Sequence, residues 1–222
     1  MNVEGRQKQI TSWFDLMKII TPNDERSTTN GIFSLKDRAM GFKAIGLIEL
    51  NSVAKGIHSA DEMIKAASVE LIMARPVCPG RYLAMIAGDV GSVQNSVAVG
   101  KETAGEFLVD SFIIPNVHPS IFPALSCATQ IPKIGALGII ETYSSASCIM
   151  AADAAVKAAE VDIIEIRCAT GLAGKSYVTL TGDVGSVQAA VSAGLGALEG
   201  EGLILSHVVI PSLSRELYPN LI

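Results

Sequence analysis

The first residues of this chain that could do chemistry are carboxylates, because they come in matched pairs: Glu49 with Glu141, and Asp61 with Asp153. Two carboxylates can share general acid–base work. Covalent catalysis would also need a nucleophile against a base, with a third group to orient that base, and no such constellation stands out. Matched residues in two halves of a chain more often serve the fold, or an interface that both halves share. His58, His118 and His207 are scattered and lack counterparts in the other half, so they do not read as a metal site within one chain. Gly88-Asp89-Val90-Gly91-Ser92 has the glycines of a phosphate loop, but Val93 and Gln94 stand where that loop needs Lys and Ser or Thr. The stretch reads instead as a tight turn whose Asp89 caps a helix. Cys78 is the most promising thiol. It sits in a Pro-flanked turn near Arg75 and Arg81, and guanidinium charge favours the nucleophilic, metal-binding thiolate. One cysteine cannot hold a cluster, so such a role requires symmetry-related chains. Together with Cys127, Cys148 and Cys168 it shows no C-x-x-C spacing. Neither a zinc ribbon nor a disulfide framework is indicated, and a reduced, cytosolic protein is expected.

These residues are positioned by a duplication. The run Gly88 to Gln94 recurs letter for letter at Gly182 to Gln188. Gly46-Leu47-Ile48-Glu49 matches Gly138-Ile139-Ile140-Glu141, and Lys65-Ala66-Ala67 matches Lys157-Ala158-Ala159. A fixed internal period is the signature of a repeated architecture. The offset is 92 residues up to Arg75 and Arg167 but 94 at Gly88 and Gly182, so the second copy carries two extra residues in the loop between. Within the first copy, Ala44 to Leu50 suits a buried strand. Val53, Ile57, Ala60, Ile64 and Ala67 recur at helical spacing behind a Ser52 cap and predict a helix with that face inward. Val69 to Ala74 predicts a second strand ended by Pro76, and Arg81 to Ala87 a third. Asp89 opens a second helix with a narrow face at Val93, Val97, Gly100 and Ala104, and Leu108 to Ile114 makes a fourth strand. After it, Pro115, Pro119 and Pro123 break up the chain. The second copy repeats this order, with Asp183 as the matching cap and its first helix keeping the face at Ile149, Ala152, Val156 and Ala159. Strand, helix, strand, strand, helix, strand is the ferredoxin-like split βαβ. The expected organisation is an α/β (α+β) chain: an extension over residues 1–41, a domain over 42–125, a linker over 126–134 and a domain over 135–222. In the extension, Trp13 to Ile20 predicts a short amphipathic helix after a Thr11/Ser12 cap.

Composition narrows the function classes. Apolar residues make up 49% of the chain and charged residues only 18%, low for a soluble monomer, so part of the surface should be buried against other chains. Seventeen basic residues against 22 acidic ones, with no basic patch, argue against nucleic acid. No apolar run reaches the ~20 residues of a membrane span, and the N-terminus has no signal-peptide pattern.

Gly138-Ile139-Ile140-Glu141-Thr142, Ala151 to Ala159, Gly182 to Ser186 and His207 to Pro211 resemble the BMC domain of bacterial microcompartment shell proteins, as do Ala44–Glu49, Ala60–Ala67, Gly88–Ser92 and Ile113–Pro115 in the first copy. The likeness spans about residues 43–215. It is strongest to the tandem, unpermuted subclass of ethanol- and propanediol-utilisation compartments, notably in Val77 to Gly80 and Asn116 to Ser120. It implies a non-enzymatic homotrimer that imitates a hexamer and tiles with other shell proteins in the cytoplasm. It implies a central pore for small metabolites lined by Arg75, Pro76, Val77, Cys78, Pro79, Gly80 and Arg81, and by Arg167, Cys168, Ala169, Thr170 and Gly171, with the second stretch reaching Lys175. Six guanidinium groups, Arg75 and Arg167 from each chain, would form a collar that favours anions. Lys65 and Lys157 would lie at tile edges, with His118 nearby, and residues 1–41 would be free to dock encapsulated enzymes. Neither copy has the usual Lys-Ile-Gly-Ser-Gly pore loop, so pore size does not carry over.

The resemblance leaves Cys78 open. Either it narrows the pore and no cofactor is bound, or three Cys78 thiolates on the three-fold axis share a [4Fe–4S] cluster, making the tile an electron conductor. A ferredoxin-like small-molecule sensor is a third reading that the residues alone allow.

Overall fold

The computed structural model describes residues 42–131, 133–200 and 202–220; the helix and linker expected within residues 1–41 lie outside them. Strand β1 (Ala44–Leu50) is buried along its whole length, because it has a strand on each edge and a layer on each face. It runs antiparallel between β3 (Arg81–Gly88) and β4 (Leu108–Pro115), with β2 (Glu70–Val77) beyond β3, giving the order β2-β3-β1-β4. The second copy builds β5 (Ala136–Thr142), β6 (Val161–Cys168), β7 (Ser176–Gly182) and β8 (Ile204–Ile210) in the matching order β6-β7-β5-β8.

Helices α1 (Val53–Ala66) and α2 (Val90–Ala104) cover one face of the first sheet. Ala60, Met63, Val93, Val97 and Ala104 pack there with Ile48, Leu50, Tyr82, Ala84 and Ile86. The narrow face expected on α2 is the one used: Val93, Val97, Gly100 and Ala104 are all buried. It works because β1 offers Gly46 opposite; a Cβ there would lie 2.4 Å from Val97 Cγ2. A five-residue helix α3 (Ile121–Leu125) follows β4, where the prolines predict only irregular chain. Pro123 fits within it because the first N–H groups of a helix have no intrahelical acceptor. Helices α4 (Ser145–Ala158) and α5 (Val184–Gly196) complete the second copy.

Three sequence expectations are corrected. Pro76 does not end β2; it pairs in register with Tyr82 inside the strand. The strand is the outer edge of its sheet, where alternate N–H groups have no neighbouring strand and proline is tolerated. The stripe Val53, Ile57, Ile64 does not face its own sheet, since all three are exposed while Gly56, Ser59, Ala60 and Met63 are buried. In α4 the matching residues Ser145, Ile149 and Val156 are buried, because α4 lies against the first copy as well as its own sheet. Finally, Asp89 caps α2 by accepting from Ser92 N at 3.0 Å, but Asp183 makes no side-chain cap bond to α5.

The largest core cluster therefore spans both copies. Ile45, Leu47, Leu83, Met85, Phe112 and Ile114, on the face of the first sheet away from α1 and α2, join Ile140, Ile149, Ala152 and Val156 of the second copy.

Candidate functional site

The turns after β2 and β6 come from equivalent places in two packed repeats, and they meet. A Cβ on Gly174 would lie 3.1 Å from Pro79 Cδ and 3.3 Å from Arg81 Cζ. Gly174 has φ +88°, a left-handed conformation that suits glycine. The first turn is short: Cys78–Pro79 is a cis peptide and Gly80 takes φ +79°. The second absorbs its two extra residues through Ala169, Gly171, Ala173 and Gly174, all at positive φ. It is pinned at its base, where Ala169 N donates to Ser176 Oγ at 3.1 Å and Thr170 Oγ1 donates to the Cys168 carbonyl at 3.1 Å.

Not every residue expected along this opening is accessible. Val77, Cys168 and Ala169 are buried within the chain, whereas Arg75, Pro76, Cys78, Pro79, Gly80, Thr170 and Gly171 are exposed. Cys78 is a free, exposed thiol. Burial pushes the Cys168 thiol up to about 12, against the opposing pull of the nearby Arg75 charge, and burial raises Cys148 as well. Both are inert thiols at neutral pH. The two arginines also differ. Arg167 pairs with Glu165 at 2.9 Å and lies 5.9 Å from the centre of the Tyr177 ring. Tyr177 donates to Glu165 at 2.6 Å, and burial followed by that carboxylate pushes it up to about 12. In the first copy Met73 and Leu83 occupy the places of Glu165 and Tyr177, and Arg75 has no ion-pair partner among the described residues. Of the two arginines expected in the collar, Arg167 thus has a carboxylate partner within its own strand.

Arg81 points into the joint between the copies. Its Nη1 donates to Glu49 Oε1 at 2.6 Å and reaches the Tyr143 and Gly174 carbonyls at 3.4 and 3.5 Å. Glu49 is completely buried and its other oxygen accepts from Ser145 N at 2.8 Å, at the start of α4. Burial raises its pKa, with Arg81 and the α4 amides opposing. Nearby, Asp110 of β4 accepts from the Ser144 and Ser147 hydroxyls. At the far end of α4, Asp153 accepts from His118 N at 2.8 Å and pairs with Lys157. One carboxylate of each matched pair, Glu49 and Asp153, therefore serves the joint between the copies, while Glu141 pairs with Lys175 and Asp61 with Lys65; Asp110 and the His118 amide gave no sequence signal. Of the three edge candidates, Lys157 and His118 meet at Asp153; Lys65 pairs with Asp61 and Glu62 on exposed α1. Among the described residues no group of three His, Cys, Asp or Glu is gathered for a metal ion, and no helix is long and apolar enough to cross a membrane.

The profile of the BMC domain matches this chain twice, over residues 44–117 and 136–213. The chain belongs to the BMC-domain family. This tandem BMC protein is 42% identical over 180 residues, covering 81% of the chain and 98% of the relative, to the bacterial microcompartment shell protein PduT of Citrobacter freundii. It is 30% identical to the carboxysome assembly protein CcmO of Synechococcus elongatus, over 80% of the chain and 68% of that protein. Among solved structures, a microcompartment protein of Desulfitobacterium hafniense superimposes with a TM-score of 0.73 at 52% identity, covering 79% of this chain and 98% of that one. The protein is a microcompartment shell protein of two BMC domains, and its homologues are structural shell components.

Proposed function

We propose that three copies of this BMC protein close head to tail into a six-unit ring, a shell tile whose central pore is bordered by the turns after β2 and β6. The observation that carries this reading is a set of equivalent residues buried in one repeat and exposed in the other. Ile149 is 0% exposed and Ile57 is 55% exposed; Phe112 is 5% exposed and Val208 43%; Ile121 is 0% exposed and Leu217 51%. On α1 the first domain leaves bare what the second buries, and on β8 and the C-terminal turn the second leaves bare what the first buries. Such surfaces are heterologous, and a heterologous contact that repeats by rotation closes into a ring. Sedimentation equilibrium and negative-stain images test this: a three-chain particle with a central opening is expected, and a monomer at micromolar concentration refutes it.

In this reading the pore carries small metabolites of ethanol, aldehyde or propanediol breakdown, with Arg75 biasing it towards anions. Tiles meet laterally through Lys65, Lys157 and His118, beside other shell proteins, and residues 1–41 are available to encapsulated enzymes. A shell component of this kind resides in the cytoplasm and does no catalysis. Flux of an anionic against a neutral solute through reconstituted shells, with Arg75→Gln as the variant, tests the bias.

A second reading rests on Cys78, an exposed thiol in a tight turn at that opening. Three such thiolates could hold a [4Fe–4S] cluster, for which sulfur is the usual protein ligand. Iron and acid-labile sulfide per trimer in anaerobically purified protein, lost in Cys78→Ala, would establish it. Absence of iron from both proteins leaves the thiol as part of a passive pore wall.

A further inference from the structure

The joint between the two domains is visible atom by atom, and the repeat lets it be transcribed onto the open ends of the chain. Besides the long contacts of Arg81 to the Tyr143 and Gly174 carbonyls, the joint's polar links are Glu49 to Ser145 N, Asp110 to the Ser144 and Ser147 hydroxyls, and Asp153 to His118 N. Register gives the counterparts. Glu141 stands for Glu49, Val53 for Ser145, Asp61 for Asp153, and Ser214 for His118. Among the described residues nothing accepts from the N–H of Val53 or Ser214, whereas the matching amides of Ser145 and His118 are both taken. Glu141 is held ready by Lys175 at 3.4 Å, as Glu49 is by Arg81. The Asp110 link does not transcribe: Ser206 replaces Asp110, and Lys55 replaces Ser147.

Building on the head-to-tail ring, we infer that a second copy of this chain docks with its Val53 amide on Glu141 and its Asp61 carboxylate on the Ser214 amide of the first, and that this joint is a weaker, salt-sensitive version of the internal one. The apolar stripe Val53, Ile57 and Ile64 supplies the area, and the two carboxylates fix the register. Weakness follows from the replacements. The Arg81–Glu49 pair is close, at 2.6 Å, whereas Lys175 and Glu141 stand 3.4 Å apart. Charges on separate chains must find each other through solvent, where salt screens them, unlike a pair already assembled within one chain. Losing Asp110 removes a charged acceptor from the helix N-terminus, where negative charge is favourable. The ring would then have three fixed joints and three reversible ones.

The test is the dissociation of the intact chain, followed by mass photometry and sedimentation over protein concentration in low and high salt. Wild type should be trimeric and dissociate more readily in high salt. Glu141→Ala should weaken each joint about tenfold, the size of a lost cap, with Glu141→Gln in between, and with unchanged circular dichroism of the dilute chain. A trimer that dissociates identically with Glu141→Ala overturns the docking while leaving the ring intact; a wild-type chain that is only monomeric overturns both. A second measurement does not depend on those variants. In a Cys78→Ser, Cys127→Ser background, Asp61→Cys combined with Ser214→Cys should crosslink between chains under mild oxidation. Only intrachain bonding or none, in a chain shown to be trimeric, overturns the register.

Discussion

Truncating the same residue in each repeat separates what holds one chain together from what holds copies together. Ile149 is fully buried between the two domains, and Ile57, its counterpart on α1, is 55% exposed. Burying an isoleucine contributes about 1.5–3 kcal/mol, and truncation inside a core adds the cost of the cavity. Ile149→Ala should therefore cost about 3 kcal/mol in the isolated chain, independent of concentration. Ile57→Ala removes atoms that are already half in water and leaves no closed cavity, so its cost to the isolated chain should be about 1 kcal/mol or less. The remaining ~2 kcal/mol reappears only when a neighbour covers α1, where it weakens each joint by about thirtyfold. Urea unfolding of dilute protein measures the first quantity, and sedimentation across a concentration series measures the second. Equal losses of chain stability for the two variants, or unchanged association with Ile57→Ala, would refute the equivalence of the two faces.

Glu49 gives a pH test. Burial raises its folded-state pKa above the unfolded value, so its contribution to stability is fully present below the unfolded value and is lost as pH rises through the folded one. The stability of wild type relative to Glu49→Gln should fall as pH rises from 4 and then level off; a difference that grows with pH would mean the Arg81 pair outweighs burial. Gly174→Ala should destabilise the chain by more than Gly171→Ala. Both need positive φ, but only Gly174 has Pro79 and Arg81 at 3.1–3.4 Å from the added Cβ; about 1 kcal/mol is expected from φ alone and more where there is crowding, read from urea midpoints. Asp89→Ala should lower the melting temperature by about 3 °C as a lost cap, while Asp183→Ala, with no cap bond to lose, should leave it unchanged.

Much of this was legible in the sequence because the repeat supplies an internal comparison. The run from Gly88 to Gln94 and its echo, with the matched apolar spacings, lead to two split βαβ units in the observed order. Local chemistry was legible where it is local: Ser52 accepts from Lys55 N at 3.3 Å and Asp89 from Ser92 N. What was not legible depends on a second surface. The stripe on α1 is periodic enough to predict a helix, but periodicity does not say which layer it faces, and the stripe is exposed on the chain while Met63 and small residues face the sheet. Pro76 was misread because edge and central strands look alike until their order is known. The partners of Glu49 lie 32 and 96 residues away, beyond the reach of any spacing rule.

The two extra residues in the second turn bear on how substitutions are counted. In a ring of six identical domains every mutation appears six times, so a bulky or charged side chain at the axis must be tolerated against five copies of itself. Fusing two domains into one gene halves that number. One turn can then carry a cysteine while the other is longer and has none at that place, as Cys78 and Thr170 illustrate. Chemistry that requires three like groups converging on a point, and that six would crowd out, becomes open to inheritance.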